Sequence, residues 1–185
     1  MSRILFALVL AICPGLHLLA GENDIEGATP EKLLGGAENL KILTTAKEVT
    51  VFRVASGGKE YQETTELIDD FHCEPTPGKV SGEPLQKLVA AFSDMKNFGG
   101  EFMCDFDPGI LIRFKTDAGI LDMVVCFGCG EMIMFRDGKI VRRELKWAET
   151  RNSFRRDARV ALHALAKKAF PDDPVIQALR EGASH

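Results

Sequence analysis

Four cysteines are the residues of this sequence best suited to chemistry. Cys73 stands alone, Cys104 precedes an Asp-Phe-Asp-Pro segment, and Cys126 and Cys129 form a C-x-x-C pair. Three kinds of chemistry suit such a set: structural disulfide bonding, thiol redox exchange and metal ligation. Metal ligation would use Cys104, Cys126 and Cys129, with Cys73 or His72 as the fourth ligand.

The surroundings of the C-x-x-C pair favour a structural disulfide bond. A redox pair of the thioredoxin type lies at a helix N-terminus, where the helix dipole favours the thiolate. Here the pair lies between two apolar runs, which we predict to be strands. Zinc sites made of cysteines commonly use two such pairs, and this chain has one. We therefore predict no catalytic residue and no cofactor, and keep a redox or metal-binding function as the alternative.

The first twenty residues predict the compartment in which these cysteines work. Arg3 is followed by an apolar run over residues 4–12 and by a small-residue end at Ala20. This order is typical of a secretory signal peptide, which we place at residues 1–20. Removing it leaves an even number of cysteines in an exported, periplasmic or secreted protein, and such a count favours disulfide bonds.

Two other interpretations of the N-terminus remain open. The segment could be an uncleaved membrane anchor, although Pro14 and Gly15 interrupt its apolar run. Cys13 could carry a lipid, although the bulky Ile12 before it departs from the usual pattern of lipid attachment sites. Both alternatives would associate the protein with the cell envelope, and we favour the cleaved signal peptide over both.

Length and composition predict a single globular domain. The chain has 185 residues, of which 45% are hydrophobic and 27% charged, and this is enough to form a core. The formal net charge of -4 is too small to predict a nucleic-acid partner. We expect a polar leader and a short helical segment over residues 21–46, followed by one α+β domain over residues 47–185.

Alternating and continuous apolar runs predict a mostly antiparallel sheet. The central part is a meander over residues 110–147, and residues 120–127 are so apolar that they should form its central strand. The predicted meander strands are residues 110–114, 120–127, 132–135 and 140–147. Further strands are expected over residues 47–55 and, less regularly, over residues 61–71.

Two helices are predicted to pack on this sheet. Apolar residues at i, i+3, i+4 and i+7 predict a helix near residues 83–94, with Ser81 as its N-cap. A second helix is expected over residues 153–170, where a broad apolar face ends before Pro171. An earlier start signal, Thr29 followed by Pro30, predicts a short helix at the beginning of the domain.

The predicted turns place three cysteines at one end of the sheet. A hairpin turn at residues 116–119 sets Cys126 opposite residue 109, since paired residue numbers in an antiparallel hairpin have a constant sum. The bend around Pro108 brings Cys104 toward the same end, and Cys129 lies in the next tight connection. We therefore predict that Cys104 is bonded to Cys126 or Cys129. The full connectivity stays open, because four cysteines allow three pairings.

Several segments of the chain resemble uncharacterised exported proteins of bacteria. The pattern consists of C-x-x-x-P at residues 104–108, an Arg-Phe strand at residues 112–114, C-F-x-C at residues 126–129, and the ending Phe-Pro-Asp-Asp-Pro at residues 170–174. The resemblance implies a shared fold and an envelope location, and no activity is assigned to that family. Taken together, the expected function is a non-catalytic, disulfide-stabilised binding or structural module whose ligand and partners the sequence does not identify.

Overall fold

The computed structural model describes residues 29–54, 66–69, 71–98, 105–128, 130–141, 151–153 and 156–180. The helices in these ranges are α1 (Pro30–Leu33), α2 (Ala37–Thr45), α3 (Glu83–Phe92), α4 (Arg156–Ala169) and α5 (Pro174–Gln177). The strands are β1 (Glu48–Arg53), β2 (Glu66–Ile68), β3 (Phe71–Cys73), β4 (Gly78–Ser81), β5 (Ile110–Thr116), β6 (Gly119–Cys126), β7 (Glu131–Arg136), β8 (Lys139–Ile140) and β9 (Arg151–Ser153). The predicted α+β class with a mainly antiparallel sheet is confirmed.

Seven of the described strands form one antiparallel sheet. Its order is β4-β1-β5-β6-β7-β8, and β9 also pairs with β7. The hairpin of β2 and β3 forms a separate two-stranded sheet. A single bridge between Val54 and Cys73 joins this hairpin to the end of β1. No helix in the described ranges is long and apolar enough to cross a membrane.

Strand β6 is the central strand that its apolar sequence predicts. It pairs with β5 from Thr116 opposite Gly119 as far as Ile110 opposite Val125. On its other side it pairs with β7. The following turn between β7 and β8 has positive φ at Asp137 (48°) and Gly138 (78°), as a type I′ hairpin turn requires. This turn joins the third and fourth strands of the predicted meander as a hairpin.

One face of the sheet, here called the helical face, is covered by helices α2, α3 and α4. Alternate residues of the central strands point into this layer and are fully or almost fully buried: Val49, Val51, Ile110, Ile112, Phe114, Leu121, Met123, Val125, Met132 and Met134. The helices contribute Ile42 and Leu43 from α2, Leu88 and Phe92 from α3, and Leu162 and Leu165 from α4. This layer is the main hydrophobic core.

The opposite face, here called the hairpin face, carries a smaller core. Phe52, Leu111, Val124 and Phe135 point to this side and form a cluster with Ile68 and Cys73 of the β2–β3 hairpin. Phe71 of the hairpin makes edge contacts with Phe106 and Phe135, with ring centroids 6.4 and 6.1 Å apart. The hairpin therefore buries the part of this face that extends from the end of β1 to Phe135 of β7.

Helix α4 begins later, and helix α3 ends earlier, than the sequence predicts. The helix expected over residues 153–170 is α4, which begins at Arg156 because residues 151–153 pair with β7 as strand β9. The helix expected near residues 83–94 is α3, which ends at Phe92. Ser81 is not its N-cap, because Ser81 ends β4, and Gly82 with φ 71° occupies the cap position. Thr29 does cap α1, as predicted.

Two predicted strands differ from the observed ones or lie partly outside the described residues. Within the segment 61–71, residues 66–68 form β2 and Phe71 starts β3, since Asp69 with φ 50° turns the chain between them. Residues 61–65 are outside the described ranges. The fourth meander strand, predicted for residues 140–147, is described only up to residue 141, where β8 covers Lys139–Ile140.

Candidate functional site

The structure describes Cys73 and Cys126, and both side chains are buried, with exposures of 0% and 2%. Cys73 belongs to the cluster on the hairpin face. Cys126 follows Val125, which points into the helical face, so strand alternation places Cys126 on the hairpin face as well. Cys104 and Cys129 lie outside the described residues. The bond from Cys104 to Cys126 or Cys129 therefore stays a prediction.

Backbone contacts place Cys73 and Cys126 along one row across the strands. Cys73 bridges Val54, whose N–H donates to the carbonyl of Gly109 at 3.2 Å. The N–H of Gly109 donates to the carbonyl of Val125 at 2.8 Å, which sets Gly109 opposite Cys126. The predicted position of Cys126 opposite residue 109 is confirmed.

This row separates the two described cysteines by three strand spacings. At about 4.8 Å per spacing, their Cα atoms are about 14 Å apart, and a disulfide bond needs them within about 7 Å. Cys73 and Cys126 are accordingly not bonded to each other. Of the three full pairings of the four cysteines, the one that joins Cys73 to Cys126 is excluded by this distance.

The surroundings of the two thiols suit packing better than redox exchange. Both are buried within the sheet, and Cys126 ends a strand rather than beginning a helix. A reactive thiol needs partial exposure to reach its substrate. The alternative of a redox site therefore gains no geometric support from Cys73 or Cys126.

The proposed metal ligands are not brought together within the described residues. His72 and Cys73 are neighbours on β3, so their side chains point to opposite sides of that strand. The described ranges contain no group of three His, Cys, Asp or Glu residues that could hold a metal ion. His163 is a packing residue, 3% exposed, with its ring 5.3 Å from the ring of Phe127.

A feature that the sequence does not predict lies at the other end of the sheet. An open groove of about 850 Å³ lies between the end of α2 and the turn between β5 and β6. We call it the basic groove, because five cationic side chains line it against two carboxylates. The cations are Lys41, Lys47, Lys79, Arg113 and Lys115, and the carboxylates are Glu48 and Asp117.

The floor of the basic groove belongs to the part of the hairpin face that the β2–β3 hairpin leaves open. Thr50 on β1 lies opposite Lys79 on one side and Arg113 on the other. Arg113 in turn lies opposite Asp122 of β6. Sequence reasoning misses this arrangement, because its residues come from four segments with no motif in any of them. Only strand pairing brings them together.

Arg113 is the most firmly held cation of the groove. Its Nε and one terminal nitrogen donate to the two carboxylate oxygens of Asp122, each at 2.9 Å. The Asp122 side chain is only 2% exposed, and the Arg113 guanidinium also lies 5.7 Å from the centre of the Phe52 ring. Asp122, which interrupts the apolar run of β6, is therefore the counter-charge that fixes Arg113.

A second ion pair holds the C-terminal segment near Gly109. Arg53 donates to Asp173 at 2.8 Å and to the carbonyl of Gly109 at 2.6 Å. Asp173 also caps α5 by accepting from the N–H groups of Val175 and Ile176. Burial acts to raise the pKa of Asp173, but the hydrogen bonds from Arg53 and the two amides outweigh it and hold the pKa below its usual value.

Comparison of the chain with family models, with curated proteins and with solved structures found no significant match. The resemblance to exported bacterial proteins, which depends on residues such as Cys104 and Cys129, therefore remains a prediction from the sequence. Within the described residues, the cysteine row of Cys73 and Cys126 and the basic groove are the candidate sites.

Proposed function

We propose that this protein is an exported, non-catalytic binding or structural module whose cysteines stabilise the fold. The observation that supports this proposal best is the burial of Cys73 and Cys126 on the hairpin face. Thiols in such positions behave as small apolar side chains or as halves of structural disulfide bonds. Export rests on the signal-like residues 1–20, and an envelope location on the family resemblance.

The proposed disulfide bond joins Cys104 to Cys126 or Cys129. The large separation of Cys73 from Cys126 leaves two full pairings. Only one of them contains a proposed bond, Cys104 to Cys126 with Cys73 to Cys129. A bond from Cys104 to Cys129 would leave Cys73 and Cys126 outside any disulfide. Closing a loop of about twenty residues would stabilise the protein by about 3 kcal/mol, chiefly through the unfolded chain.

Thermal unfolding with and without a reductant tests the role of the cysteines. We expect the reductant to lower the melting temperature and a chelator to leave it unchanged, since a structural bond restricts the unfolded state and holds no metal. Loss of stability with the chelator alone would support the metal-binding alternative instead. A thiol that titrates well below pH 8 together with an unchanged melting temperature on reduction would support the redox alternative.

Export is tested separately by sequencing the N-terminus of the native protein. We expect a mature chain that begins shortly after Ala20, because the apolar run and the small-residue end are those of a cleaved signal. A native chain that begins at Met1 and is recovered from the cytoplasm would contradict the export proposal. It would also remove the oxidising compartment on which the disulfide proposal depends.

A further inference from the structure

We propose that the basic groove binds a small multivalent anion, one that carries two or more phosphate or carboxylate groups. This inference names a ligand class for the binding module proposed above, and to that extent it rests on that proposal. It is carried by three properties of the groove: its excess of positive charge, its concave shape and the fixed position of Arg113 on its floor.

The positive charge of the groove is local and only partly neutralised. The whole chain has a net charge of -4, yet five cations and two carboxylates line this one groove, and Asp122 of β6 balances the charge of Arg113. Lys79 is paired with Glu48 at 3.2 Å. Lys41, Lys47 and Lys115 form no ion pair with any carboxylate in the part of the chain that the structure describes. A local excess of one sign in a concave surface concentrates ligands of the opposite sign.

The shape of the groove favours a small ligand over an extended anionic surface. Its volume of about 850 Å³ falls within the range of about 300 to 1,000 Å³ that is usual for small-molecule sites. Hydroxyl groups of Thr50 and Thr116 also line it. The oxygen of Thr116 accepts from the N–H of Ala118 at 3.1 Å, which leaves the hydroxyl hydrogen available for a ligand oxygen.

The distribution of the cations favours a ligand with more than one anionic group. Lys41 is on α2, Lys47 precedes β1, Lys79 is on β4, and Arg113 and Lys115 are on β5. A single small oxyanion contacts only a few of these side chains. An anion with two or more groups neutralises several at once, and the bidentate contact with Asp122 holds Arg113 in place before the ligand arrives.

Isothermal titration calorimetry of the full-length protein at low ionic strength tests this inference. The probes are pyrophosphate and the tricarboxylate tricarballylate, which distinguish a phosphate ligand from a carboxylate one, with orthophosphate as the comparison that has a single phosphate group. We expect at least one of the two multivalent probes to bind more tightly than orthophosphate, and its affinity to fall as salt is added.

Charge-matched double variants show whether binding takes place in the groove. Lys47→Gln with Lys115→Gln should weaken binding of the multivalent probe by about tenfold or more, because each lysine supplies a charged hydrogen bond. Lys87→Gln with Lys168→Gln removes the same charge from exposed positions on α3 and α4 and should leave the affinity unchanged. All four lysines are exposed, so both variants should fold, which their melting temperatures will show.

Three results would overturn the inference. These are no measurable binding of either multivalent probe, binding of both probes that is no tighter than binding of orthophosphate, and equal weakening by the two double variants. None of them depends on the response of the melting temperature to reductant. A failure of the groove to bind anions is therefore distinguishable from a failure of the proposed role of the cysteines.

Discussion

The helical face and the hairpin face of the sheet are buried by partners of very different size. Three helices cover the first, and residues from four central strands are closed off from solvent there. Among the described residues, a hairpin of two three-residue strands covers part of the second face, and another part is the charged floor of the basic groove. The two faces therefore differ in character: the helical face is an apolar core that stabilises the fold, and the hairpin face carries the polar surface at which we propose anion binding.

The two faces also differ in the charged side chains that they bury. The strand residues in the hydrophobic core of the helical face are apolar, and the ion pair of Arg53 with Asp173 lies at the end of β1, where the Arg53 side chain is 17% exposed. The hairpin face, in contrast, contains the ion pair of Arg113 with Asp122, of which Asp122 is almost fully buried. A buried charge is tolerated only when it is paired and hydrogen-bonded. The hairpin face can therefore present a fixed cation to the groove without leaving Asp122 unpaired.

The largest expected effect comes from placing a charge in the helical face. Val125→Asp should destabilise the protein by about 4 kcal/mol or more, because an unpaired carboxylate would replace a fully buried side chain. Denaturant unfolding measures the change, with Val175→Asp at a position that is 63% exposed as the control. Equal stability of the two variants would show that the helical face is not the main core.

Breaking the ion pair on the hairpin face should have the next largest effect. Arg113→Met leaves Asp122 buried without its partner and should cost about 3 to 5 kcal/mol. The double variant with Asp122→Leu should recover much of that loss, because both charges are then gone. If Arg113→Met is as stable as the parent, the carboxylate of Asp122 is solvated or has another partner. Asp122 then does not hold Arg113 in a fixed position on the floor of the groove.

Two neighbouring residues of β5 compare the faces directly. Ile112 points to the helical face and Leu111 to the hairpin face, and both are fully buried. Both alanine variants should be destabilised within the range of about 2 to 5 kcal/mol. The Leu111 variant should lie at the lower end, because a small hairpin can move toward the cavity more easily than three packed helices. The reverse order in chemical denaturation would mean that the hairpin face is the more rigid of the two.

The smallest expected effect is the pH dependence of the contact at Asp173. The pKa of this carboxyl is depressed in the folded protein, so its contribution to stability is present above the unfolded pKa of about 3.9 and is lost as pH falls through the folded value. The difference in melting temperature between the parent and Asp173→Asn should therefore shrink as the pH is lowered from about 6 to about 3. A difference that is constant over this range would show that the ion pair with Arg53 adds nothing.

Local patterns predict many elements of the fold. The apolar run of β6, the hairpin turn at residues 116–119 and the helix start at Thr29 are all predicted from neighbouring residues and are confirmed. Errors arise where pairing at long range overrides a local signal. Residues 151–153 join β7 as a strand although they directly precede a helix, and Ser81 pairs with Glu48 instead of capping α3.

In the candidate sites, too, some features follow from local sequence and others from contacts at long range. The position of Cys126 opposite residue 109 follows from the spacing of one hairpin, because the register of an antiparallel pair is fixed by its turn. The separation of Cys73 from Cys126 does not follow from local spacing, since it depends on the chain at Val54 and at Gly109, the ends of β1 and β5, lying between them. The basic groove is invisible in the sequence for a related reason: Lys41 and Lys115 are far apart along the chain and in different elements.

The sequence by itself determines the apolar period of each strand, the turns between adjacent strands and the number of cysteines, because all of these depend on residues close together in the chain. The tertiary structure decides which face of the sheet each helix covers, which charges meet and which surface stays open. Those outcomes depend on the order of strands in the sheet, which is set by contacts between residues that are distant in sequence. In this protein that order, β4-β1-β5-β6, brings the cations of the groove together and keeps Cys73 apart from Cys126.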